Sequence, residues 1–190
     1  IRTLLGFKDF AVKPYEDPEW FEDMVETFAR PAAWQIRCFG ENSAPIDCVH
    51  FWEDICFKNG PIIHPDHFRR YVVPRYRRLA DLAAGYDYTA VSVDSDGDIH
   101  ALLPGWLDGG VTLLWPLEYQ AGVDVNELQS RWPEGVVWQG NVYKYQLARN
   151  ADAIAAELER LVPAVRRGNF VPTLDHCCPP DVPFENYLTY

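Results

Sequence analysis

Five short apolar runs, at about 46–51, 88–93, 111–116, 136–140 and 169–174, alternate with stretches of helical periodicity. That alternation restricts the fold more than any other feature of the sequence. The runs are rich in Val, Thr, Phe and Trp, as strands are, and are too short for stable helices. Between them, "DPEWFEDMVETF" opens with Asp17 as N-cap and Pro18 at the first helical position. "HPDHFRRYVVPRYRRLADLAA" reads as a second helix, bent at Pro74. "DVNELQSRW" sets Glu127 three residues after Asp124, as in a capping box. In "NADAIAAELERLVPAVRRG", Ile154, Leu158, Leu161 and Val165 share one helical face, and Gly168 suits the stop. Strands that alternate with helices form a parallel α/β sheet, and near-continuous apolar strands have both faces covered.

In such a sheet the working residues lie beyond the carboxyl ends of the strands. The tips are "WED" (52–54), "DSDGDIH" (94–100), "PLE" (116–118), "GNVYKY" (140–145) and "LDHCCPP" (174–180). Four of the five carry acidic residues and the last adds His176, so a shared polar site fits better than scattered turns. The candidate catalytic residues are Asp94, Glu118 and His176. Glu53, Asp54, Lys58, Asn141, Tyr143 and Lys144 are candidates for substrate binding, and Asp94, Asp96 and His176 for a metal ion. Asp94 and Asp96, two apart at a strand end, lean to the same side. Asp98 then caps the following turn, and His100 enters the next helix. A calcium loop is excluded: counted from Asp94, its Gly and Glu positions hold Ile99 and Gly105.

The chain of 190 residues is long enough for one domain, read here as spanning 1–190 and incomplete at its N-terminus. A net charge of −11 argues against a nucleic-acid partner, and no apolar run is long enough for a membrane span. It also makes an acidic ligand awkward unless local Lys or Arg residues receive it. Five cysteines, an odd set without a C-x-x-C pair, fit a reducing, cytoplasmic protein better than a disulfide scaffold.

"HFWEDICFKNGPIIHPDHFRRYVVPRYRRL", "VDSDGDIHALLPGWLDGGV", "PLEYQAGVDV" and "DHCCPPDVPFENY" resemble the uroporphyrinogen decarboxylase superfamily, which includes cobamide-dependent methyltransferases. The resemblance implies a TIM (β/α)8 barrel of which only the C-terminal five β/α units, strands four to eight, are present. An open sheet of this kind leaves unpaired edges at its first and last strands, and these invite cover by a second chain, a homodimer included.

Two activities follow from the resemblance. The first is decarboxylation of acetate side chains on a tetrapyrrole, as in porphyrin biosynthesis, with no cofactor; His176 then matches a histidine at the last strand end. The second is methyl transfer with a divalent metal and a corrinoid, the partner being a corrinoid protein. There, Asp94 and Asp96 stand where the methyltransferases place His and Cys, and His176 stands in place of their last Cys, so a harder ion than zinc on thiolates is implied. The chain departs from the decarboxylase pattern in Leu117-Glu118, where Asp-Trp is usual. It departs again in Tyr143 and Tyr145, where Asp and Arg are common. The substrate-receiving Arg and catalytic Asp of the decarboxylase belong to the N-terminal half, so a non-catalytic fragment is the third reading.

Overall fold

The computed structural model describes residues 1–43 and 45–190. Five parallel strands form one sheet: β1 (Cys48–Trp52), β4 (Ala90–Asp94), β5 (Leu113–Leu117), β6 (Val137–Val142) and β7 (Phe170–Leu174). They lie side by side in chain order, the arrangement of a barrel wall rather than of a doubly wound sheet. A two-stranded hairpin, β2 (Cys56–Phe57) and β3 (Gly60–Pro61), stands apart from them, just after β1. All five expected strands are present, displaced by at most a few residues. The architecture is part of a TIM barrel, and among the described residues β1 and β7 each pair on one side only.

Alternation sorts the side chains of each strand. On β1, Val49 and Phe51 pack into the core, whereas Cys48, His50 and Trp52 face the open side of the arc. His50 Nδ1 meets Ser92 Oγ at 3.2 Å across that inner face. On the outer side, Val91, Val93, Leu114 and Trp138 are buried beneath α5 (Leu103–Asp108), α6 (Val125–Arg131) and α8 (Ala151–Arg167). Fully burying an aliphatic side chain of this size contributes about 1.5–3 kcal/mol, so this layer dominates the stability of the arc.

The helices refine the sequence reading in several places. Helix α1 (Arg2–Glu16), kinked at Gly6, was not expected, because Gly6 and Pro14 interrupt its pattern. Helix α2 (Pro18–Glu41) starts as read, with the Asp17 carboxylate accepting from Trp20 N–H, but continues through Pro31. Phe21, Val25, Ala29, Ala33 and Ile36 form a continuous buried stripe, and packing of that stripe outweighs the one N–H that proline removes. The bend ahead of Pro74 is a π turn at Phe68–Val72, between α3 (Pro65–His67) and α4 (Val73–Ala84). In α8 the buried face is Ile154, Glu157, Leu161 and Ala164, while Val165 is exposed. His100 lies in the turn before α5 rather than in it; the Asp98 carboxylate accepts from its backbone N–H and meets its Nδ1 at 2.7 Å. Among the described residues, no helix is long and apolar enough to cross a membrane.

Asn141, at positive φ, ties the sheet to the β5–α6 loop. Fully buried, it donates from Nδ2 to the carbonyls of Val123 (2.6 Å) and Leu117 (3.3 Å), and Oδ1 accepts from Val125 N–H at 3.1 Å. The Arg160 guanidinium adds bonds to Asn141 O (2.7 Å) and Oδ1 (3.3 Å), and is itself held by Glu157. Replacing Asn141 by Leu strands several buried polar groups and puts a residue without Asn's tolerance of the left-handed region at φ +64°. The expected loss is about 2–4 kcal/mol, or roughly 5–10 °C in Tm for a chain of this size. Thermal unfolding followed by circular dichroism measures it, and a loss near zero would show that the network is dispensable.

Candidate functional site

The parallel register decides which side chains meet. Trp52 is the partner of Asp94, and Ser92, Val93 and Asp94 stand against Leu113, Leu114 and Trp115, so the carboxyl ends of β1, β4 and β5 are level. Just beyond them, one carboxylate oxygen each from Asp54, Asp94 and Asp96 lies within 4.8 Å of the others. His176, two residues past β7, brings Nε2 to 3.5 Å from Asp96 Oδ2. The four residues share a hollow of about 200 Å³ with Trp52 and Trp115, and Cys177 lines it as well.

Local chemistry holds each carboxylate. Asp54 adopts φ +48°, a conformation that Asp tolerates better than most residues. Its Oδ2 accepts from Trp52 Nε1 at 2.8 Å and lies 3.8 Å from Arg2, while Oδ1 faces Asp96 N–H at 3.5 Å. The Asp94–Asp98 turn runs under the β2–β3 hairpin: Asp98 N–H donates to Phe57 O at 2.9 Å. Gly97 is required there, because at φ +80° a Cβ would lie 2.6 Å from the Phe57 backbone. Glu118 does not reach the hollow as a donor to it. Its Oε2 accepts from Gly97 N–H at 2.9 Å and its Oε1 lies 3.4 Å from Lys144 Nζ, so it braces the turn from behind.

The remaining expected residues separate into two groups. Lys144 is buried beside the site, where the acidic pattern alone gives no hint of its pairing with Glu118. Tyr143 is half-buried, its N–H bound to Glu157 and its ring 5.6 Å from that of Tyr119. Glu53, Lys58 and Asn141 are not brought to the hollow. Glu53 accepts a hydrogen bond from Tyr76 OH on α4, because strand alternation turns residues 51 and 53 toward the helices. Lys58 is exposed on the hairpin turn, and Asn141 is enclosed by the loop it anchors. Asp175 was missed: it is fully buried, its Oδ1 accepts from Lys144 N–H at 3.1 Å, and its Oδ2 has no partner among the described residues. Its strand-end position next to His176 was the available signal.

Electrostatics follow from this crowding. The Asp94 carboxyl is pushed up to about 6, first by burial and then by the charges of Asp96 and Asp54, with His176 opposing. Asp96 is raised too, by burial, then Glu118 and Asp54, against His176 and Lys144. For Asp94 the native state thus holds a proton more tightly than the unfolded chain does. Its ionisation opposes folding; this penalty is complete above about pH 6 and is relieved as pH falls from 6 to 4. Asp94→Asn is therefore expected to stabilise the metal-free protein at pH 7 by about 1 kcal/mol, after discounting for solvent screening of a half-exposed group. At pH 4 the substitution is expected to be nearly neutral. Urea unfolding at the two pH values is the check, and equal effects at both would remove charge repulsion as the cause.

Comparison with known proteins agrees with this architecture. The chain superimposes with a TM-score of 0.72 on a methyltransferase from Methanosarcina mazei, at 18% sequence identity, over 97% of its own length. It spans 51% of that methyltransferase's length, so the likeness extends to the fold of about half of it. No curated protein sequence matches the chain. The sequence model of the uroporphyrinogen decarboxylase (URO-D) family matches residues 4–189, nearly the whole chain, with the strand-end motifs inside the match. The chain belongs to the uroporphyrinogen decarboxylase family.

Proposed function

We propose that the carboxyl-end cluster is a divalent-metal site serving a methyltransferase-type reaction within this family. The observation that carries the reading is the approach of Asp54, Asp94 and Asp96 to within 4.8 Å, with the His176 imidazole at 3.5 Å from Asp96. Unit charges about 4 Å apart at an effective dielectric near 20 repel by about 4 kcal/mol, so three carboxylates this close call for a cation. Oxygen donors with one imidazole suit a hard or borderline ion such as Mn²⁺ better than a thiophilic one. The likeness to a methyltransferase fold supports the same direction.

When bound, the metal would act as a Lewis acid on the group that gives or accepts the methyl. Asp54, Asp94 and Asp96 would hold it. His176, at 40% side-chain exposure, is placed to complete the ligand set or to exchange a proton with the substrate. Trp52 and Trp115 also line the hollow, with Trp52 exposed at its rim. The corrinoid that methyl transfer implies is assigned no residue of this chain and would arrive with a corrinoid-protein partner.

Tetrapyrrole decarboxylation, put first on the sequence, is the second reading, and family membership favours it. Its polyacidic substrate needs free cations. At the mouth, however, Lys144 is paired with Glu118 and Arg2 lies beside Asp54. Titration calorimetry with Mn²⁺ separates the two readings. The parent protein is expected to bind, and Asp96→Ala to lower the affinity at least about tenfold, as loss of a direct ligand does. No binding by the parent, or unchanged affinity in the variant, would overturn the metal reading and return the balance to metal-free decarboxylation.

A further inference from the structure

Behind the hollow lies a second group of charged residues that the proposed chemistry does not use. Lys144 and Glu118 retain only 8% and 12% side-chain exposure, and their ion pair at 3.4 Å is enclosed between the ends of β5 and β6. Long charged side chains are seldom buried to this degree unless they are paired. Each member of the pair is also held by a further hydrogen bond to a neighbouring strand end. Glu118 Oε2 accepts from Gly97 N–H at 2.9 Å, one residue after Asp96. Gln120 Nε2 lies 3.3 Å from Glu118 Oε1, on the same side as Lys144. Lys144 N–H is held by the buried carboxylate of Asp175, and Asp175 N–H by Val142 O at 2.8 Å.

The contacts form a continuous chain from the β7 end to the β4 turn: Asp175, Lys144, Glu118, Gly97, Asp96. Its last link is the sensitive one. The turn carrying Asp96 is also held at its two ends, by Ser95 N–H on Trp115 O and by Asp98 N–H on Phe57 O, both at 2.9 Å, but between them the Asp96 amide makes only a long contact, 3.5 Å, to the Asp54 carboxylate among the described residues. We infer that Lys144 is a positioning residue for Asp96, acting through Glu118, which it keeps turned inward against the Gly97 amide. Without a buried counter-charge, Glu118 gains by rotating toward water. Gly97 N–H then loses its acceptor and the Asp96 carboxylate loses its fixed approach to Asp54 and Asp94. Asp175 seats Lys144 at the start of α7 (Lys144–Leu147), so that its side chain leaves the backbone toward Glu118 rather than toward solvent.

The consequence for Asp96 rests on the metal reading above, but the latch itself is testable without any metal. Amide hydrogen exchange of the whole chain, resolved at Gly97 by NMR, reads the link directly. Lys144→Met, which keeps length and removes charge, is expected to speed Gly97 exchange by at least about tenfold, with the α8 amides unchanged. Lys144→Arg is expected to restore protection to within about threefold of the parent, since a charge rather than a shape is required. Mn²⁺ affinity is expected to fall with the Met variant and recover with the Arg variant. Glu118→Gln gives a second route should Lys144→Met fail to fold: the weaker acceptor is expected to release Gly97 in the same way. Unchanged Gly97 protection in either neutralised variant overturns the inference. Faster Gly97 exchange in a protein that binds no Mn²⁺ supports the latch and removes the metal reading alone.

Discussion

Mutual repulsion among Asp54, Asp94 and Asp96 is the interaction around which the carboxyl-end loops are organised. The carboxylates do not meet by chance of loop shape. Parallel pairing sets β1 and β4 in a register where Trp52 faces Asp94, and the strand pleat then fixes which neighbours project into the arc. Close approach of like charges raises the folded-state energy unless something opposes it. Opposing contacts come from charge, with Arg2 3.8 Å from Asp54 and His176 3.5 Å from Asp96, and from hydrogen bonds: Trp52 Nε1 on Asp54, Gly97 N–H on Glu118, and Asp98 N–H on the hairpin carbonyl of Phe57. The hydrogen bonds add no charge; each keeps the cluster from spreading apart. A cluster held together against its own electrostatics costs stability that the rest of the fold must offset.

The rigidity comes from the other side of the sheet. Asn141, Arg160 and Glu157 form a polar network in which Arg160 also lies over the Tyr119 ring, 3.9 Å from guanidinium carbon to centroid. This network joins the end of β6 to the β5–α6 loop and to α8. It uses both side-chain polar atoms and the carbonyl of Asn141 internally, which is why a strand-end Asn serves the scaffold rather than the site. The distinction between Asn141 and Lys144, three residues apart on adjoining elements, is one of direction: the first points behind the strand ends, the second toward Glu118 and the β4 turn.

Much of the architecture was legible because continuous apolar strands and capped helices are local signals. Asp17 and Asp124 each accept from a backbone N–H at the start of a helix, at positions marked by residue type alone. Long-range choices were less visible. The continuation of α2 past Pro31 depends on a buried stripe whose partners lie on other elements, and the inward face of α8 includes Glu157 because Arg160 and the Tyr143 amide satisfy it. For the site, the acidic spacing in "DSDGDIH" placed Asp94 and Asp96 together, and His176 joined them from the last strand. Asp54 was read as a substrate contact, yet its positive φ brings its side chain into the carboxylate cluster. Glu53, its neighbour, goes the opposite way by the same alternation. A run of two acids at a strand end therefore contributes one residue to each side of the sheet, and sequence alone leaves open which.

That sorting bears on how the family's framework accommodates different chemistry. The strand ends supply fixed positions, and the donor atoms placed there determine what they can hold. Here the β4 tip carries two oxygen donors, the β7 tip an imidazole, and the β1 tip a third oxygen donor through Asp54. Cys177 lines the same hollow, so sulfur is not excluded from the region by space. Cys177 and His176 both lie on the segment that leaves the sheet through Pro179 and Pro180, whereas Asp94 closes an interior strand, so the sheet fixes Asp94 more directly than either.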